Sequence, residues 1–416
     1  MVTFLTFCKM IITSSKLISV KPNYSPLNER AVVIFKGIIQ AVGPIQQIIQ
    51  QFSHHRIYQL RNAVLMPGLV NVHTHCELPG LLNTIRSKAF SDWILNLINV
   101  KKGLSLKDYN SAAAKNIHTI IHTGTTTVGE ICTHGISPAL LRKSGLRAVV
   151  FQELISMGPK SSKFRVQSSK LPHSGLMHDG ISPHSPYTVS ASVLLQIRDA
   201  ARQRNLKLAM HIAESKDELR LLQRKESGLE KLYRYANWDI AWAPKGDSSF
   251  EYLKRIGFLS PHFLAVHAVQ VSDKDLELIR KSKISVAHCP RSNMETGVGR
   301  MPLRKFLDAG ITVGLGTDSL ASSPSLNMWD EMRYAHHIHR RSGISSEDIF
   351  RLATMGGAKA LGLQKEIGTI EPGKKADIIA VPMPTKNTGD LYSDLLRETK
   401  SCIMTMINGT ILFKAG

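Results

Sequence analysis

Disulfide chemistry has little to work with in this 416-residue chain. Its five cysteines (Cys8, Cys76, Cys132, Cys289 and Cys402) are widely spaced, odd in number and never paired as C-x-x-C. That pattern excludes a disulfide framework or a zinc ribbon and fits a reducing cytoplasm. Aromatic residues are scarce at 6%, and no run of Lys and Arg is interleaved with them, so a nucleic-acid groove has no local signature. Low-complexity tracts and fixed-period repeats are absent, which sets aside solenoids and long linkers. No apolar run is long enough for a membrane span. Residues 1–9 are apolar but short and lack a basic leader. They read as an extension, expected to be disordered, and not as a signal peptide. Acid is also in short supply: 53 Lys and Arg against 32 Asp and Glu leave a formal charge of +21. A scattered basic surface accounts for that charge. Nucleic-acid binding would rest on it alone and would be steeply salt-dependent.

What is present is organised around Met66-Pro67-Gly68-Leu69-Val70-Asn71-Val72-His73-Thr74-His75. Pro67-Gly68 breaks the chain, an apolar run follows, and two histidines one residue apart end it. Residues i and i+2 of a strand point to one side, so His73 and His75 can face a common point, as imidazoles do around a divalent metal. Further apolar runs recur at residues 126–128, 148–151, 180–182, 206–210, 263–266, 284–287 and 312–315, with helical patterns between them. Ser190 and the Ser272/Asp275 pair mark two of the helix starts. Residues 326–341 supply the last helix. Eight strand–helix units in about 300 residues indicate a (β/α)8 TIM barrel, here expected over residues 67–365. Both ends of the chain are β-rich, and Ile367-Gly368-Thr369-Ile370 reads as one of the tail strands. Gly37 lies in a tight return, and Asn408-Gly409 is a strong hairpin turn. A small β-sandwich built from both termini, residues 1–66 and 366–416, is the expected partner of the barrel.

Active sites of such barrels lie at the C-terminal strand ends. His73 and His75 end the first strand, His184 the fourth, His211 the fifth, His267 the sixth, His288 the seventh and Asp318 the eighth. A first shell of His73, His75, His211 and Asp318 suits one catalytic Zn2+, with Fe2+ as the other choice. Such an ion lowers the pKa of a bound water towards ~7. No lysine ends the fourth strand to bridge two metals. Glu214, three residues past His211, is placed to move a proton, although an acid there also suits a helix N-terminus. His267 and Asp318 complete the catalytic set as hydrogen-bonding partners of the attacking oxygen.

These motifs, with Ser182-Pro183-His184-Ser185-Pro186-Tyr187-Thr188, His288-Cys289-Pro290-Arg291-Ser292-Asn293, Gly316-Thr317-Asp318-Ser319 and Gly368-Thr369-Ile370-Glu371-Pro372-Gly373-Lys374-Lys375-Ala376-Asp377, resemble the amidohydrolase superfamily in its mononuclear aminohydrolase branch. The resemblance spans nearly the whole chain and implies a metal-dependent deaminase acting on a cyclic amidine. It implies a substrate contact for His184. Glu77 close behind His75, Phe90-Ser91-Asp92-Trp93 and Arg291 are similar to aminodeoxyfutalosine deaminases of the futalosine route to menaquinone. On that reading Glu77 binds ribose and Arg291 an aryl carboxylate, with Arg86 or Lys88 as alternatives to Arg291. The rival substrates are S-adenosylhomocysteine, methylthioadenosine and guanine; a non-catalytic barrel scaffold is the remote alternative. The expected partner is a small nucleoside, with no nucleic acid and no membrane. The assembly is left open, a homodimer included.

Overall fold

The computed structural model describes residues 9–20, 25–85, 87, 89–157 and 175–415. Residues 1–8 and the loop cations Arg86 and Lys88 lie outside them. Four strands open the chain: β1 (Met10–Leu17), β2 (Leu27–Phe35), β3 (Ile38–Pro44) and β4 (Arg56–Pro67). Eight follow: β5 (Leu69–Thr74), β6 (Thr125–Cys132), β7 (Arg147–Leu154), β8 (Met177–Pro183), β9 (Lys207–Ile212), β10 (Phe263–His267), β11 (Ser285–His288) and β12 (Val313–Leu315). The last three are β13 (Ile378–Pro382), β14 (Met404–Ile407) and β15 (Thr410–Lys414).

Strands β5 to β12 form one parallel eight-stranded sheet in chain order. Every residue of β5, β6 and β10 is buried, as strands covered on both faces must be. The ring closes beyond β12, where Thr74 bridges Asp318 and the Asp318 amide donates to the His73 carbonyl at 3.0 Å. This is the (β/α)8 barrel. The helix Asp273–Lys281 starts with the expected Ser272/Asp275 capping box. Ser190 precedes the helix Ala191–Gln203 as expected, but its hydroxyl makes no cap and turns to Ser192. The last crossover helix, Met328–His339, sits where the apolar spacing put it.

The remaining strands form a second sheet of seven, in the order β15-β14-β13-β4-β1-β2-β3, so both ends of the chain build it together. Strand β4 passes straight into β5 through Gly68, where an added Cβ would lie 2.0 Å from the Thr126 hydroxyl. Glycine is the residue that fits that approach. Lys36-Gly37 and Asn408-Gly409 both have positive φ at their two central positions, the geometry of a two-residue hairpin turn. The two turns abut: a Cβ on Gly37 would meet the Asn408 carbonyl at 2.6 Å. Residues 367–370, expected as a strand, are instead a turn that hydrogen-bonds Ile370 to Ser19. Gly368, at φ +96° and hard against Ala358, bends the chain out of a ladder there.

One ion pair pins barrel to terminal sheet. Arg147, fully buried at the start of β7, donates to both oxygens of Asp377 at 2.7 and 3.0 Å. Asp377 also accepts from the Asn408 amide at 2.8 Å. A second buried acid, Glu331, lies in the helix Met328–His339. Its Oε1 accepts the Arg291 amide at 2.9 Å, while Oε2 has no hydrogen-bond donor among the described residues. Burial pushes the Glu331 carboxyl up to about 8, against the opposing pull of Arg291.

Two stability measurements follow from these groups. Asp377→Asn leaves the Arg147 charge buried beside a neutral amide, which should lower the unfolding free energy by about 3–5 kcal/mol in a denaturant titration. A mutant within 1 kcal/mol of the parent, to about the precision of the method, would contradict that role. For Glu331, the unfolded chain releases its proton near 4.5 and the folded protein near 8. In that window the folded state alone holds the proton, so stability contributed by the neutral form is present below the window and is lost as pH rises through it. Glu331→Gln, which mimics the neutral acid, should therefore gain on the parent by up to about 1.4 kcal/mol per pH unit between pH 5 and 8. Parallel stability curves for the two proteins over that range would refute the assignment.

Candidate active site

The C-terminal ends of the barrel strands bring together six of the residues singled out from sequence. His73 and His75 leave β5 on one side, their ring centroids 5.0 Å apart. His211, on β9, stands 5.0 Å from His73 and 5.6 Å from His75 by the same measure. Asp318 faces both β5 histidines, with Oδ1 at 3.6 Å from each Nε2. His267 ends β10 with its Nε2 3.5 Å from Glu214 Oε1 and 4.0 Å from Asp318 Oδ2. Ligand-type atoms of His73, His75 and Asp318 lie within 4.8 Å of one another, as do those of His73, His211 and His267.

Local structure explains why the side chains aim inward. His267 and Asp318 sit at φ +75° and +59°, a strained conformation for residues with a Cβ that their surroundings must hold in place. Asp318 is held by the Ser292 hydroxyl at 2.6 Å, the Ser322 hydroxyl at 3.0 Å and the Ser319 amide at 2.7 Å. Asn71 pairs with Thr317 in both directions, at 2.7 and 3.1 Å, and so fixes β5 against the loop that carries Asp318. His267 Nδ1 meets Asn293 Oδ1 at 2.7 Å, so Nδ1 carries the proton and Nε2 presents its lone pair to the site. His211 Nδ1 likewise donates to the His184 carbonyl at 3.0 Å. None of these orienting groups (Asn71, Ser292, Asn293, Ser322) was visible as functional in the sequence. The Met66-to-His75 and His288-to-Asn293 motifs, which contain three of them, were the hints.

Electrostatics favours unprotonated imidazoles. Burial, followed by the neighbouring His73, brings His75 down to about 4, and burial brings His267 to about 4 as well. His211 is held well below its ordinary value by burial and by the surrounding histidines. Burial works to raise Asp318, but the contacts with His73, His75 and His267 prevail and keep it ionised. Burial, with the charges of Asp318 and Glu218 behind it, drives Glu214 well above the usual carboxylate range. Glu218 in turn accepts the amides of Ala213 and Glu214 at 2.8 and 3.0 Å.

A divalent ion fits this donor set. His73 is fully buried, and neither of its ring nitrogens has a hydrogen-bond partner among the described residues. Buried polar atoms without a partner are rare and call for a ligand. Three imidazoles and one carboxylate match the chemistry of a catalytic zinc site, and the hydrogen bond on His211 Nδ1 is the outer support that such ligands carry.

Other expectations are redirected. Glu77, expected at a ribose, is 2% exposed and already accepts five donors: the amides of Thr133, His134, Ile136 and Ser137 at 2.7–3.2 Å and the Cys132 thiol. It anchors the loop after β6. Arg291, expected to read a carboxylate, leans towards the helix Met328–His339, its Nη1 3.8 Å from Asp330 and without a hydrogen-bond partner among the described residues. His288 faces away from the cluster and pairs with His339 at 3.0 Å. His184 does reach the rim, 4.9 Å from His211 between ring centroids, with Nδ1 tied to Thr188 at 2.9 Å. Glu153 at the end of β7 was not singled out from the sequence at all, yet it joins His184 and His211 within 4.8 Å. The loops that leave β5, β11 and β12 also border a cleft of about 880 Å³, with Leu82, Ile85, Trp93, Leu320 and Pro324 among its lining and Glu295 as an acid on its wall.

Known proteins resemble the chain over nearly its whole length. The model of the amidohydrolase family matches residues 64–412. The 5-methylthioadenosine/S-adenosylhomocysteine deaminase of Syntrophobacter fumaroxidans is 28% identical over 93% of this chain and 87% of its own. The 5′-deoxyadenosine deaminase of Methanosarcina mazei is 30% identical over 90% of this chain and 84% of its own. Among solved structures, Helicobacter pylori aminofutalosine deaminase in complex with methylthio-coformycin superimposes with a TM-score of 0.88 at 24% identity, covering 97% of this chain and all of that one. An adenosine deaminase from Xanthomonas campestris with bound zinc gives 0.81 at 24% identity, over 97% and 92%. The chain belongs to the amidohydrolase family.

Proposed function

We propose that the protein is a hydrolytic deaminase of 5′-modified adenosine nucleosides. The observation that carries the reading is the convergence of His73, His75, His211 and Asp318 on one point, with Glu214 and His267 beside it. A divalent ion bound by those four residues, Zn2+ by the nature of the donors, supplies Lewis acidity and an activated water. The chain's own groups do the rest. Glu214, whose environment favours the protonated form, delivers its proton to N1 of the purine and recovers one from the water. His267 accepts a hydrogen bond at Nε2, because Asn293 keeps the proton on Nδ1. Water adds at C6, the C6–N bond breaks, and ammonia leaves with the proton that Glu214 relays. The product is the 6-oxopurine nucleoside.

The names of the sequence relatives support an adenosine nucleoside altered at its 5′ end. Glu295 on the wall of the cleft disfavours an anionic 5′ group there. Aminodeoxyfutalosine, the finer expectation from sequence, loses the support of Glu77, which is engaged by the loop after β6, and keeps that of Arg291, whose Nη1 has no hydrogen-bond partner among the described residues.

Two experiments test the reading. Purified protein should carry one tightly bound metal per chain by elemental analysis, and His211→Ala should lose most of it; two ions, or no loss in the mutant, would overturn the ligand set. Ammonia release should be fastest from methylthioadenosine or 5′-deoxyadenosine in a panel with S-adenosylhomocysteine, aminodeoxyfutalosine and guanine. Glu214→Gln should bind the best substrate normally but turn it over roughly 10²-fold more slowly or worse. Preference for guanine, or an active Glu214→Gln enzyme, would remove the proposal.

A further inference from the structure

We infer that Glu153, and not Glu77, is the carboxylate that receives the ribose hydroxyls, with His184 beside it. The assignment rests on the nucleoside-deaminase reading and deepens it. Glu153 stands one residue before the end of β7, paired in the ladder with Ser182 on β8, and so at the same rim as the metal-ligand cluster. It is half-buried. Its Oε2 accepts the Thr133 hydroxyl at 2.7 Å, whereas Oε1 has no donor among the described residues. A vicinal diol carries two O–H donors, and a carboxylate with an open oxygen is the complementary acceptor.

Surroundings keep the group ready for that task. Burial acts to raise its pKa, but the contacts with His184 and His75, the Thr133 hydrogen bond and Lys101 outweigh it and hold the carboxyl below its ordinary value. Glu77 is tied to this arrangement from behind. It accepts the Thr133 amide at 3.2 Å, so the loop it anchors is the one that orients Glu153. Glu77 is thus a positioning residue, and its nearness to the histidines in sequence reflects that indirect role. A second cation between Glu153, His184 and His211 is the competing use of the cluster. It is disfavoured because His211 Nδ1 is committed to the His184 carbonyl. The one remaining nitrogen belongs with His73, His75 and Asp318.

The test compares adenosine with 2′,3′-dideoxyadenosine on the metal-loaded full-length enzyme, with metal content measured alongside. Glu153→Gln should raise KM for adenosine by about 10- to 100-fold and change kcat little. KM for the dideoxy compound should be the same in mutant and parent, with metal content also unchanged. Thr133→Val, which removes only the orienting hydroxyl, should shift KM for adenosine in the same direction by a few-fold, roughly the worth of one hydrogen bond. It decides the matter if Glu153→Gln does not fold. Equal losses on both substrates, no loss on either, or departure of metal with the carboxylate would each overturn the assignment while leaving nucleoside deamination intact. A parent enzyme that releases ammonia from no adenosine nucleoside would remove the functional reading and this assignment together.

Discussion

The hydrogen bond from the Asp318 amide to the His73 carbonyl, 3.0 Å long, does two jobs at once. Among the hydrogen bonds beyond β12 it closes the parallel strands into a ring. It also sets the Asp318 carboxylate opposite His73 and His75. Strand closure and ligand placement are therefore one constraint: β5 and β12 cannot meet without presenting these groups to each other. The left-handed backbone at Asp318 is the conformational strain that this double duty requires. Three hydroxyl and amide donors from residues 292, 319 and 322 offset it and hold the carboxylate ionised in a buried position.

A reciprocal clamp behind the cluster serves the same end. Glu77, in the loop after β5, holds the loop after β6. Glu130, at the end of β6, accepts the Cys76 amide at 2.9 Å and so holds the loop after β5. The two acids differ in charge for a physical reason. Glu77 meets four backbone N–H groups, which outweigh its burial and lower its pKa. Glu130 has fewer donors, and burial pushes it up to about 8, with Glu77 adding to the effect. Two ionised carboxylates this close would repel, so the clamp works with one charge. His75 directly precedes both anchored residues, Cys76 and Glu77, so the backbone that leaves it is held in place.

Much of this was legible in the sequence, because it depends on alternation. His73, His75, His211 and His267 could be placed at strand ends from apolar runs alone, and a strand-end side chain in a parallel barrel has few directions available. Asn408-Gly409 was legible for the similar reason that positive φ is a local property. What could not be read depends on distant pairs. Glu77 finds its donors at residues 133–137, and Arg291 finds Asp330 on a helix that begins 37 residues later. Nothing local in either stretch marks those partners. Arg147 lies just before the apolar run at 148–151, and the acid that pairs with it, Asp377, is 230 positions on. The apolar run at 367–370 misled because its glycine looked tolerable in a strand, whereas contact with Ala358 and Met355 bends it.

The same division separates chemistry from specificity. The groups that would hold a metal and move protons stand on strand ends, where the barrel's own hydrogen bonds locate them to within a rotamer. The groups that meet the rest of a substrate lie on the loops after β5, β6, β7, β11 and β12, whose shape follows from buried acids and serines acting across the rim. A rigid centre surrounded by such loops can keep one reaction while the loops change what reaches it. The strand-end residues therefore identify the reaction class, because that class needs only the centre. Choice of nucleoside has to be argued from loop contacts, and there the structure moved the emphasis from Glu77 to the neighbourhood of Glu153 and His184. An acid close to the histidines in sequence accepts the amides of the loop after β6, and an acid 76 positions further along, brought in by β7, joins His184 and His211 within 4.8 Å.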